Sequence, residues 1–385
     1  MRKVYLDHAA TTATRPEVLT AMEPYIVEQF GNPSSLHQFG RWTNAAVEEA
    51  RDRVAELMGA KPEEIYFTSG GTESDNMVIK GIGWKNFEKR GHFITTKVEH
   101  KAVLETVAFM EKLGFTATYL DVDENSLVSP DDLRKAIRDD TLLVSIMMVN
   151  NEVGTIEPIA ELAEVAHERG VAFHTDAVQA FGKIPVDVRE LGVDFLAMSG
   201  HKFYGPKGVG VCYVKRESKK LLMPHTHGGS HESGLRAGTL NVPGIVGFAK
   251  AFELAIGELD AEHARQKKLA DMLFNGFNDA LDGVQLNGHP TDRIPSLLNL
   301  SFDKVEGESI LLSLDMQGIA VSSGSACSSK SLEPSHVLIA MGCDHLRAHS
   351  CIRFSLGREN TEEDIEYVLR VVPPIIERLR SVSAL

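Results

Sequence analysis

The segment "MSGHKFYGPKGVG" (residues 198–210) ends an apolar run in Ser199, His201 and Lys202, among four glycines. A strand that delivers a hydroxyl, an imidazole and an amine into a glycine-lined turn can hold an anion and offer a nucleophilic nitrogen. Comparable groups follow the other apolar runs. After EIYF (64–67) stands "TSGGTESDN", in which Gly71 and Thr72 open a helical pattern suited to a phosphate dianion. Glu99 and His100 follow HFITTKV, and Asn150 and Asn151 follow LLVSIMMV (142–149). Asp176 and Gln179 follow VAFHT (171–175).

Each of these residues has an ordinary structural reading taken singly: a cap, a core histidine, a turn glycine. Together, at successive strand ends, they suit one ligand, pyridoxal 5′-phosphate. Gly71, Thr72, Ser199 and His201 supply donors for its phosphate. Asp176 keeps its pyridine nitrogen protonated, Gln179 offers an amide to its phenolic oxygen, and the His100 ring covers its face. Lys202 is the amine that bonds its aldehyde.

The elements that must position these residues are legible as an alternation. Short apolar runs, DFLAM (194–198) among them, read as buried strands. Helical patterns lie between several of them, after Gly70, after His100 and after Pro158. Ser129 before Pro130 marks a helix start, and Gly170 a helix end. Strands separated by helices imply an α/β fold with a mostly parallel sheet covered on both faces. In such sheets the ligand sits beyond the carboxyl ends of the strands, where the residues above cluster. After Pro243 the pattern changes: a long helical stretch to about residue 280 leads to strand, helix and strand. A last helix starts near Thr361, with Asp364 in capping-box register.

The chain resembles the cysteine desulfurases of the NifS/IscS type, within the class V aminotransferases of fold type I. The resemblance runs over nearly the whole length, through "YLDHAATT", "GNPSSLHQFG", "TSGGTESDN", "VEH", "NNEVGTIEP", "HTDAVQ", "SGHKFYGPKGVG", "GLRAGTLN", "SSGSACSS" and "IRFSLGR". It implies an aspartate-aminotransferase-like fold: a large domain over 15–250 with a seven-stranded sheet, and a smaller α+β domain from 1–14 and 251–385. It implies that Asn151 also contacts the cofactor and that Thr239 reaches the phosphate of the neighbouring subunit's site in a homodimer. It makes Arg353 the clamp for the substrate carboxylate, with Asn32 nearby, a task that suits the planar guanidinium fork. Gly71 stands where alanine is frequent in the family, which should leave phosphate binding intact.

Four cysteines in 385 residues form no C-x-x-C pair, so neither a disulfide framework nor a local zinc or redox motif is expected. Cys212, Cys343 and Cys351 read as small core residues. Cys327 lies in "VSSGSACSSKSLEPSH", whose small polar residues predict a mobile loop. The resemblance makes it the sulfur acceptor: L-cysteine is converted to L-alanine, a persulfide forms on Cys327, and the sulfur passes on to an acceptor such as an iron–sulfur scaffold protein. A catalytic thiolate needs help with deprotonation, for which His100 or the local field is the candidate. Members with a longer C-terminal tail dock the scaffold there; this sequence ends at "RSVSAL", so that docking mode is not carried over. A selenocysteine lyase or another aminotransferase-fold enzyme is the alternative, and Cys327 argues against a transaminase. Retention of Lys202, Asp176 and Cys327 argues against a non-catalytic scaffold.

The bulk composition excludes other classes. Forty basic against 54 acidic residues give a net charge of −14, with no basic patch for nucleic acid. No apolar run reaches membrane-spanning length and "MRKVYLDHAATT" has no signal-like apolar region, so a cytoplasmic protein is expected.

Overall fold

The structure is a computed structural model that describes residues 2–323 and 334–383. Its strands, in chain order, are β1 (Val4–Tyr5), β2 (Ile65–Thr68), β3 (His92–Thr96), β4 (Thr116–Leu120), β5 (Thr141–Ser145) and β6 (Ala172–Asp176). They continue with β7 (Phe195–Ser199), β8 (Gly210–Val214), β9 (Val284–Asn287), β10 (Leu297–Phe302), β11 (Ile319–Ala320) and β12 (Cys351–Ser355).

Seven of these form one sheet in the order β2-β8-β7-β6-β5-β3-β4. All its neighbours are parallel except β8, which runs antiparallel to β2 and β7. The reason the strands read as unbroken apolar runs is visible in the packing. Successive residues enter opposite cores: Phe67, Ile94, Val144, Phe173 and Leu196 face one, Tyr66, Phe93, Leu143, Ala172 and Phe195 the other. The first core is closed by the helices Gln38–Met58, Ile159–His167 and Val242–Gly257, the second by Gly71–Lys85 and Lys101–Lys112. With both faces covered, no strand position of this sheet's centre is left for a polar alternation. Only β4, an edge strand with half-exposed residues, lacks that signature, and it is the strand the apolar-run reading passed over.

Helix starts follow local chemistry. Ser129 Oγ accepts the amide of Asp132 at 3.3 Å, with Pro130 in the first turn. Thr361 and Asp364 cap one another reciprocally, at 3.3 and 3.1 Å. Gly170 has the positive φ of a helix-terminating glycine. The long helical stretch after Pro243 is two helices, Val242–Gly257 and Leu259–Ala280.

A separate core gathers around the three-stranded antiparallel sheet β12-β10-β9 and the helices Leu259–Ala280, Gly307–Asp315 and Glu362–Val382. In the last helix the buried Ile365, Val368, Val372 and Ile376 recur at helical spacing. The N-terminal residues tie the two parts together. β1 pairs in parallel with β11, and Asp7 bridges to Ser355. Five residues later, Thr12 donates its amide to the carbonyl of His201 at 3.0 Å.

Candidate functional site

Beyond the carboxyl ends of β2, β3, β5, β6 and β7 lies a cavity of about 460 Å³. Gly71, Thr72, His100, Asn151, Asp176, Gln179, Ser199, His201, Lys202 and Arg353 all line it. Ten residues named from the sequence, nine from the large sheet's loops and Arg353 from β12, therefore converge on one space. Thr239 and Asn32 do not; both are exposed, on segments outside the cavity of one chain. Cys327 lies outside the described residues.

The glycines of "SGHKFYGPKGVG" answer to packing. A β-carbon at Gly210 would lie 2.5 Å from the carbonyl oxygen of Met198, so β8 can close on β7 only without one. Just before that pairing, the chain leaves β7 in a short 3-10 turn, Gly200–Lys202, that turns Lys202 into the cavity. Its Nζ donates to the carbonyls of Ala9 and Ala10 at 2.7 and 2.8 Å. His201 Nδ1 meets Thr11 Oγ1 at 3.0 Å. Burial, then the positive charges of Lys202, Lys207 and Lys183, lower its pKa to about 4, so the imidazole is neutral at physiological pH. Gly71 begins a 15-residue helix, with Thr72 next to it and Glu73 bonded to Arg236 at 2.7 Å. A β-carbon at Gly71 would stand 2.5 Å from Val178 Cγ2; the glycine at 71 and the valine at 178 fit one another.

Asp176 ends β6, and its Oδ1 accepts the amide of Val178 at 2.9 Å. Burial raises its pKa, opposed by His100, that amide and Lys202. His100 Nδ1 accepts the amide of Ala102 at 3.1 Å, which puts the proton of the neutral ring on Nε2. Arg353, 2% exposed, donates to the Asn151 carbonyl and to Asp7 Oδ1, each at 2.9 Å. Its Nε has no hydrogen-bond partner among the described residues and is a donor held ready for an acceptor.

Several residues of this region escaped the sequence reading. Asp75 lines the cavity, is 1% exposed, and brings a carboxylate oxygen within 4.8 Å of donor atoms of both Asp176 and His100. Neither of its oxygens has a hydrogen-bond partner among the described residues. His174 Nε2 stands 3.6 Å away, with its Nδ1 on Ser145 Oγ at 2.8 Å. Burial holds His174 neutral, with a pKa of about 3. Burial, together with the charges of Asp176 and Glu99, pushes the Asp75 carboxyl well up. His336, just past the undescribed segment, is a third cavity histidine beside His100 and His201, and its Nε2 meets the Glu99 carbonyl at 3.0 Å. The signal for Asp75 was its place in "TSGGTESDN" on the buried side of a helix; for His336 there was none beyond its nearness to Cys327.

Comparison with known proteins places this geometry. The family model for "Aminotransferase class-V" matches residues 4–368. "Cysteine desulfurase IscS" of Dictyoglomus turgidum is 56% identical over 382 residues, covering 99% of this chain and 96% of that protein. The chain belongs to the class-V aminotransferase family, among its cysteine desulfurases. A desulfurase of the same name from Methanosarcina thermophila is 52% identical over 100% of this chain and 94% of its own length. Among solved structures, a "NifS-like protein" superposes with a TM-score of 0.92 at 39% identity, covering 98% of this chain and 100% of that one. "SspA in complex with cysteine" superposes with a TM-score of 0.83 at 37% identity, covering 92% and 99%. The aspartate-aminotransferase-like fold expected from the motifs is thus the fold observed, and the family is one that depends on pyridoxal phosphate.

Proposed function

We propose that this cavity binds pyridoxal 5′-phosphate and L-cysteine, transfers the substrate sulfur to Cys327 and releases L-alanine. The observation that carries the reading is the convergence of Lys202, Asp176 and Arg353, from three separate elements, on one cavity. The donor set fits the cofactor. The start of the Gly71–Lys85 helix, the Thr72 and Ser199 hydroxyls and the neutral His201 ring suit its phosphate. Asp176, buried and without a full ion pair among the described residues, suits a cationic ring nitrogen. When bound, the cofactor supplies an electron sink that acidifies the substrate α-carbon and loosens the carbon–sulfur bond.

The chain's own residues do the rest. Arg353 fixes the substrate carboxylate through its free Nε and the rest of its fork, with Asn151 alongside. Lys202 takes the α-proton and returns a proton to carbon; held on two carbonyls, it starts in a fixed position. His100, with its Nε2–H directed by the Ala102 amide, serves the proton traffic at the sulfur. The Cys327 thiolate attacks the substrate sulfur: a sulfur–sulfur bond forms, the carbon–sulfur bond breaks, and its electron pair stays with the carbon that becomes the methyl of alanine. One L-cysteine and one thiol thus give one L-alanine and one persulfide. The reaction needs Cys327 reduced, as a cytoplasmic setting keeps it, and the persulfide passes to an acceptor protein for iron–sulfur assembly. No described helix is long and apolar enough to cross a membrane.

The working unit in this reading is a homodimer. Ile26, Val27, Phe30, Leu36, Phe39 and Trp42 are all exposed, Leu36 to 91%, with Phe39 in ring contact with both Phe30 and Trp42. An apolar surface of this kind calls for a partner. Asn32 lies within it, and Thr239 is exposed three residues after Arg236, which anchors to the helix at the phosphate end. A second copy would let both residues complete a site, and sedimentation showing an active monomer at assay concentration would remove that arrangement. The decisive test of function is incubation of the cofactor-loaded protein with L-cysteine. Alanine should form, with sulfide once an added thiol reduces the persulfide, and without that thiol mass spectrometry should find one added sulfur on the Cys327 peptide. Cys327→Ala should still give a spectral response to cysteine without alanine; full activity in that variant would overturn the reading.

A further inference from the structure

Lys183 has no part in the chemistry above, yet it sits beside it. It lies in the turn after β6 and donates through Nζ to Oε1 of Gln179. No carboxylate lies within ion-pairing distance of it among the described residues. Burial first, and then the like charges of Lys202 and Arg353, bring its pKa down to about 7. His201 and His8 feel its charge in turn, and both are neutral. Glu258 and Glu262 line an adjoining space of about 40 Å³ that Lys183 also borders, but they are engaged with Arg15 and Arg265. An ammonium placed among cations with one neutral acceptor is costly, and the acceptor it is given is telling.

An amide side chain can stand either way round, and the hydrogen bonds decide which. The Lys183 head group meets the carbonyl oxygen of Gln179, the orientation that its ammonium form requires, since an ammonium only donates. That leaves the amide nitrogen on the other side, where Nε2 donates to the carbonyl of Ala9 at 2.9 Å. The same carbonyl takes Lys202 Nζ at 2.7 Å. Of the two N–H groups of Gln179, one remains for the cavity that the residue lines.

We propose that Lys183 is a positioning residue that locks the Gln179 amide with its nitrogen toward the cavity, guaranteeing a donor for the phenolic oxygen of the cofactor. This rests on the reading of the cavity as a pyridoxal phosphate site. Without Lys183, Gln179 is free to turn its carbonyl inward, where oxygen would oppose oxygen and the anionic form of the phenol would lose its donor.

The test is the pH titration of the visible absorption band of the cofactor-loaded protein, without substrate. In Lys183→Met the midpoint should rise by about one pH unit, the scale of a lost hydrogen bond to a charged group. Lys183→Arg, which still donates to Oε1, should return it to near the wild-type value. Gln179→Leu should raise the midpoint alike, and adding Lys183→Met to it should change nothing further. An unchanged midpoint in Lys183→Met overturns the proposal, and so does a shift that persists undiminished in the double variant, since Lys183 would then act as a bare charge. If Lys183→Met does not fold by circular dichroism, Gln179→Glu decides instead. It keeps an acceptor for Lys183 but has no amide N–H, so an unchanged midpoint there also overturns the proposal. A wild-type protein that gains no visible band with pyridoxal phosphate would instead overturn the cofactor reading itself.

Discussion

Acidic and basic groups gather in and beside one cavity, Asp75, Asp176, Lys202 and Arg353 lining it and Glu99 and Lys183 next to it, and the two sets are held in different ways. Among the acids, Asp75, Asp176 and Glu99 are buried, and among the described residues hydrogen-bond donors to them are few: Asp75 has none, and Glu99 takes Thr96 Oγ1 and the Met147 amide on a single oxygen. Among the cations, Lys202, Lys183 and Arg353 each rest on chosen acceptors, mostly neutral carbonyls. Arg353 also pairs with the Asp7 carboxylate, and its Nε has no hydrogen-bond partner among the described residues. These acceptors orient the cations, whose positive charge attracts a phenolic oxygen or a carboxylate. The acids carry an uncompensated desolvation cost that a cationic ring nitrogen would relieve. Geometry is built into one cluster and field into the other, which gives each a distinct way to fail.

In the proposed reading the largest failure belongs to Lys202, to which that reading gives both the covalent anchor and the proton. Lys202→Ala should lower alanine formation by more than about a thousandfold while still retaining cofactor through the phosphate contacts. Measurable turnover near the wild-type rate would show that the cationic cluster only binds. Asp176→Asn attacks the field. A neutral amide cannot hold the ring nitrogen protonated, so kcat should fall by about a hundredfold or more, at least about 2.7 kcal/mol of barrier, with the fold intact. An unchanged kcat would mean that the acidic cluster does no electrostatic service.

Arg353→Lys separates orientation from charge. The ammonium keeps the charge but loses the fork and its spare Nε, so KM for L-cysteine should rise by about tenfold to a hundredfold, with a smaller change in kcat. A fall in kcat at constant KM would assign Arg353 to the chemical step instead of substrate binding.

The same contrast explains what the sequence disclosed. Strands buried on both faces announce themselves as apolar runs, and parallel topology puts whatever follows them at one edge. Residues such as Asp176, Ser199 and Lys202 could therefore be grouped before any coordinates. Arg353 came from resemblance, because it arrives from β12 of another sheet and no local pattern ties it to β6 or β7. Asp75 was hidden by its helix, where an acid three positions past Thr72 looks like a first-turn residue. The carbonyls of Ala9 and Ala10, which hold Lys202, belong to backbone that has no side-chain signature at all. Their position depends on β1 and β11 pairing across 315 residues (Val4 with Ile319), a contact that local periodicity does not encode.

Asp75→Asn gives the smallest effect and probes the acidic cluster without the cofactor. The folded-state pKa of Asp75 is raised by burial and by the neighbouring Asp176 and Glu99. A raised folded pKa means that the native protein binds a proton the unfolded chain has released. The stability from that proton is fully present below the unfolded pKa and is lost as pH rises through the folded one. Within that window the apoprotein should lose about 1.4 kcal/mol per pH unit from this site. Asparagine has nearly the same shape and no proton to lose, so the variant should be less sensitive to rising pH. Urea unfolding of both apoproteins at a series of pH values would read the difference. The two curves should draw apart as pH increases, with Asp75→Asn the more stable at the alkaline end. Parallel curves would show that Asp75 is ionised in the native protein, and that some donor shields it from Asp176.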